Sequence, residues 1–133
     1  MSAFYTYFKE NMDGLGLPAP ETLFATAQQT VATVAIFITH IDKFGRAVTI
    51  REMIAAGTRL EKLGVVAALS ASYYVGAVIG SLAVALGRTL GRGTSLADVL
   101  YTANVYRVGR PWLAGTLLQE PTIYKAAGSL RSA

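Results

Sequence analysis

His40 is the only histidine in the chain, and there is no cysteine. A nucleophile with a positioned base therefore has one imidazole at most to draw on. The eight acidic residues are spread through helix ends and loops, so no carboxylate pair stands out for acid–base work. Disulfides, thiol catalysis and cysteine-ligated metals are excluded, and no other metal-ligand cluster takes shape. Gly87-Arg-Thr-Leu-Gly-Arg-Gly93 is glycine-rich. It follows a helical stretch and lacks the Gly-Lys-Ser/Thr ending of a phosphate loop. These residues point away from an enzyme and call for no cofactor.

Two other patterns carry physical meaning. Thr22, Thr26, Gln29, Thr33 and His40 are spaced by four, three, four and seven, which puts all five on one face of a continuous helix. Ile36 falls on the same stripe as its exception. Uncharged polar side chains in such a row could line a water path that passes small ions without strong charge selection. The same row could equally be the solvated side of a bundle helix, and a lone histidine near a helix end, such as His40 beside Asp42 and Lys43, is most often a surface residue.

The second pattern is a ridge of small residues: Ala68, Ser72, Gly76, Gly80, Ala83, Gly87 and Gly91. A glycine inside a helix costs about 1 kcal/mol relative to alanine, so a helix that keeps several should gain something from them. In lipid, small residues four apart let helix backbones approach closely and drive association. With 13 glycines in the chain, some such lines would also arise by chance.

The elements that position these residues follow from periodicity and breakers. With 133 residues the chain suits a single domain. The expected class is all-α, with no strand-period segment and no repeated unit. An amphipathic helix over 3–12 is broken by Asp13-Gly-Leu-Gly-Leu-Pro-Ala-Pro20. Two long apolar helices, about 22–44 and 60–90, are then expected to form a hairpin over 22–90. Gly45 closes the first, and the capping box Thr49-Ile-Arg-Glu52 opens an amphipathic lead into the second. Leu63 to Gly87 is a run of 25 residues without a charge. As a helix it reaches about 37 Å, beyond the roughly 30 Å of bilayer hydrocarbon. A second capping box, Ser95-Leu-Ala-Asp98, starts a short helix over 95–107, and Pro111 starts another over 111–120.

Composition agrees with a membrane setting. Hydrophobic residues make up 53% and charged residues 15% of the chain, and mean hydropathy is +0.42. The net charge of +4 comes from scattered cations. That speaks against nucleic acid and suits weak attraction to an anionic membrane surface. Arg88, Arg92, Arg110 and Trp112 are candidate interfacial anchors, although Trp112 could also be an ordinary core residue. Lys43, Arg46, Arg51, Arg59 and Lys62 would hold the connecting loop in the cytoplasm, while Arg88 and Arg92 pull the other way. The first ten residues do not read as a cleavable secretory leader.

Residues 65–91 resemble the glycine-zipper segments of small membrane-permeabilising bacterial proteins, including pore-forming effectors of type VI secretion. More distantly, they are similar to the hydrophobic hairpin of pore-forming colicins. The resemblance implies a homo-oligomeric pore that depolarises a bacterial inner membrane. A chaperone or neutralising protein is then a possible partner beside the bilayer. The competing expectations are a non-conducting membrane scaffold and a soluble bundle with residues 65–87 as its buried central helix.

Overall fold

A computed structural model describes residues 2–57, 63, 69–91 and 94–124, and the regular structure among them is helical. The order is α1 (Ala3–Gly14), α2 (Glu21–Phe24), α3 (Ala27–Phe44), α4 (Ile50–Ala55), α5 (Ala71–Thr89), α6 (Leu96–Val105) and α7 (Pro111–Gln119). A short 3-10 turn, Pro121–Ile123, follows α7. The all-α class is as expected from the sequence.

The helix starts are set by side chains close in sequence. Thr49 and Ser95 each form the reciprocal capping box: the hydroxyl accepts from the N–H three residues on, and the Glu52 or Asp98 carboxylate accepts from the cap N–H. Ser2 and Ser70 cap α1 and α5 with single hydroxyl bonds. Gly45 ends α3 at φ 96°, a conformation in which a Cβ would be strained.

Tertiary structure changes two of the expected elements. The helix expected over 22–44 is broken at Ala25–Thr26. Thr26 is extended (φ −132°) and serves as the N-cap of α3, its hydroxyl accepting the Gln29 N–H. The break lets α2 fold inward, and Phe24 then reaches the core with its ring 5.1 Å from Phe8. The helix expected over 60–90 begins, in the described residues, only at Ala71. Ser70 forms an isolated antiparallel bridge with Thr49, and the backbone pairs Ile50 N–H with Leu69 C=O and Ala71 N–H with Val48 C=O. Leu69 and Ser70 are therefore spent on strand-like pairing. Residues 58–62 and 64–68 lie outside the described residues.

Among the described residues one helix, α5, is long and apolar enough to cross a membrane, with a mean hydropathy of 1.2 over its best window. The expected hairpin of two such helices is thus reduced to one. α3 has 18 residues but carries Gln28, Gln29, three threonines, His40, Asp42 and Lys43.

α5 is the centre of the molecule, with 83% of its apolar window buried. α1, α3, α6, α7 and the 3-10 turn all pack against it. α1 lays Tyr5, Phe8, Asn11 and Met12 inward at helical spacing. A chain of rings, Phe4, Phe8, Phe24, Tyr74 and Phe37, crosses the core at centroid separations of 5.1 to 6.5 Å. The loop after α1 is pinned by two tyrosine hydroxyls. Tyr5 donates to Ala19 C=O and Tyr74 to Pro18 C=O, both at 2.6 Å.

Candidate functional site

The ridge on α5 is where sequence pattern and packing meet. Ser72 donates its hydroxyl to Arg46 C=O at 2.6 Å. A Cβ built at Gly76 would lie 3.1 Å from Thr116 Cγ2 of α7, and one at Gly80 would overlap Ile123 Cγ2 of the 3-10 turn. The C-terminal segment therefore comes close to the α5 backbone: tightly at Gly76, and at Gly80 so closely that only glycine leaves it room. Ala83 and Gly87 continue the ridge into a groove of about 290 Å³ between α5 and α6. Exposed Leu90, Tyr101 and Val105 rim it. Gly91 ends α5 in a left-handed turn at φ 76°. Ala68 lies outside the described residues.

One buried polar contact locks the C-terminal cover in place. Asn11 Nδ2 donates at 2.8 Å both to Ser81 Oγ on α5 and to Ile123 C=O. Asn11 and Ser81 are almost wholly buried, so each needs a partner. Sequence reading missed this trio. The available signal was Asn11 itself, a polar residue on the apolar face formed by Phe8 and Met12.

The polar row on the second apolar stretch is used locally. Gln29 Nε2 donates to Thr22 C=O, and Thr33 Oγ1 donates to Leu23 C=O at 2.8 Å. With Thr26 as the N-cap, these groups clasp α2 onto α3. Thr22 and Thr26 are exposed, Gln29 is half-buried and Thr33 is buried. His40 stands apart, two turns further on, with Nδ1 3.1 Å from Ile36 C=O and its ring 5.9 Å from Phe44.

The anchor candidates sit toward opposite ends of α5. Arg88, in its last turn, lies over the Tyr7 ring at 4.1 Å and 3.3 Å from Glu10 Oε2. Arg88 Nη1 is buried without a directed hydrogen bond, so that contact is a Coulombic pair rather than a donor–acceptor bond. Arg110 forks onto Asp42, with Nε and Nη2 donating at 3.0 and 2.8 Å. The guanidinium holds the Asp42 carboxyl below the usual carboxylate range. Trp112 is half-buried and shares a groove with Arg46, Ser72 and Tyr73. From Ser72 to Arg88 the helix rises about 24 Å, somewhat short of the roughly 30 Å of bilayer hydrocarbon. Arg92 lies outside the described residues.

Chemistry beyond packing is sparse here. The buried polar side chains among the described residues are neutral: Asn11, Thr30, Thr33, Ser72 and Ser81. No group of three His, Asp or Glu residues comes together there to hold a metal. Burial raises the Tyr5 hydroxyl above its ordinary value, which keeps it a hydrogen-bond donor to Ala19.

The chain matches no known protein family, and no curated protein or solved structure is similar to it at a significant level. Its function has to be argued from its own geometry.

Proposed function

We propose that this is a membrane-inserting protein whose bilayer-length helix α5 is kept sheathed by its own amphipathic helices. The observation that carries the reading is α5: 19 residues whose only charge is Arg88 in the last turn, wrapped by helices that each keep a wet face. Release of those helices would expose a segment that water disfavours and lipid accepts.

After insertion, the face now covered by Thr116 and Ile123 becomes free to meet a second copy along Ser72, Gly76 and Gly80. Thr22, Thr26, Gln29, Thr33 and His40 remain the candidates for lining an ion path in that assembly. Their hydroxyls and amide must first give up the α2–α3 clasp. The resulting pore would depolarise a bacterial membrane.

A second reading has its own observation. Ile123 over Gly80 accounts for a ridge glycine within one chain, as a soluble bundle with α5 as its permanent core requires.

Carbonate extraction of membranes from expressing cells separates the two. The inserting protein stays with the membrane, whereas the permanent bundle washes off entirely. Conduction is read separately, as loss of a potential across liposomes at densities where crosslinking shows oligomers. Oligomers that leave the potential intact make the protein a scaffold.

A further inference from the structure

The end of the molecule where α3 passes into α4 has an uneven charge balance. Its acids among the described residues are already engaged: Asp42 takes the Arg110 fork, and Glu52 is held by the Thr49 N–H and hydroxyl. Lys43, Arg46 and Arg51 are exposed and form no ion pair among the described residues. Between them Phe44 is 55% exposed, with Lys43 Nζ 5.2 Å from its ring centroid. Phe44 borders a shallow apolar shelf with Ala47, Ala55 and Ala56, all exposed. Gly45 turns the chain at φ 96° immediately after it, so the ring stays at the tip of α3.

We infer that this end is a docking surface for anionic phospholipid. Three exposed cations complement a negative headgroup layer, and an exposed aromatic on an apolar shelf gives the acyl boundary something to bury. Nucleic acid would use the cations and leave Phe44 and the shelf in water. The surface also lies where α5 begins, because the Ser72 hydroxyl donates to Arg46 C=O. Docking would bring the first turn of the bilayer-length helix to the lipid. The inference deepens the membrane-inserting reading and rests on it for its purpose, but docking itself is measurable without insertion.

The test sediments the full-length protein with vesicles of phosphatidylcholine, with or without phosphatidylglycerol, at low and high salt. Trp112, half-buried in the groove that Arg46 also lines, reports contact by its emission. Wild type should bind the anionic vesicles, release in high salt, and ignore the neutral ones. Each cation near such a surface is worth about a fivefold change in affinity, so neutralising three costs about a hundredfold. K43Q/R46Q/R51Q should therefore lose about that factor while keeping the wild-type helical spectrum. The salt dependence of wild type stands as evidence even if that variant does not fold. Equal binding to both vesicle types overturns the inference, as does binding that high salt leaves unchanged. Tighter binding to duplex DNA than to anionic vesicles also overturns it. Salt-reversible docking with no carbonate-resistant fraction keeps the docking surface and removes insertion. Carbonate-resistant binding that is equal on neutral vesicles does the reverse.

Discussion

Ile123 Cγ2 fills the space that a side chain at Gly80 would need, although the two residues are 43 positions apart in the chain. The glycine costs helix stability and the isoleucine is wholly buried, so each explains the other. Gly80→Ala gains helix propensity of about 1 kcal/mol and meets an overlap that overpacking data place at about 1–3 kcal/mol. It should lower the unfolding midpoint. Ile123→Ala opens a cavity and should cost about 2–4 kcal/mol. Gly80→Ala placed on Ile123→Ala should be harmless or stabilising. A denaturation cycle showing additive effects would mean that the two side chains do not compete for one space.

Gly76 offers a graded comparison. Its Cβ would lie 3.1 Å from Thr116 Cγ2, a squeeze that a few tenths of an ångström of movement by α7 relieves. Gly76→Ala should be near neutral in the same assay, clearly milder than Gly80→Ala. A Gly76→Ala loss as large as that at Gly80 would show α7 to be held more rigidly than its contacts imply.

Asn11 binds three elements through one amide. Asn11→Ala leaves the Ser81 hydroxyl and the Ile123 carbonyl buried and unpaired, at about 1–3 kcal/mol. The C-terminal cover should then open more often. Hydrogen exchange of residues 113–119 should rise more than that of α3. Uniform acceleration across all helices would instead mean simple global destabilisation, without preferential release of the cover.

The Asp42–Arg110 pair sets an acid-side dependence. Because Arg110 depresses the folded-state value of Asp42, the contribution is fully present above the ordinary carboxylate value of 3.8. It disappears as pH falls through the lower, folded value. The midpoint gap between wild type and Asp42→Asn should be constant from neutral pH down to the ordinary carboxylate range and shrink progressively as pH falls below it. A gap unchanged at acid pH would assign it to something other than this charge pair.

Thr33→Val keeps the shape of the side chain and removes its bond to Leu23 C=O. Because Thr33 is buried, the loss should be about 1–2 kcal/mol, with Gln29→Ala, half-exposed, costing less. In liposomes the same substitution tests the ion path. If Thr33 lines it, the conductance per bound protein falls, whereas unchanged conductance removes this residue from the lining.

What could be read from the chain alone was local. Thr49 with Glu52 and Ser95 with Asp98 form their caps within three residues, and Gly45 stops α3 through its own backbone freedom. The charge-free run through α5 is a matter of composition, and so is the all-α class. Tertiary structure decided the rest, because the competing arrangements differ little in local energy. Thr22, Thr26, Gln29 and Thr33 fit one continuous helix by spacing. The break at Ala25–Thr26 lets Phe24 bury beside Phe8, and Thr26 has the side chain to cap the new start. Leu69 and Ser70 are acceptable in a helix too, until Val48 and Ile50 offer them backbone partners. The small-residue ridge could be recognised as a place of close approach, yet a glycine does not say what approaches it. That answer needed Ile123, which only the folded chain brings to Gly80.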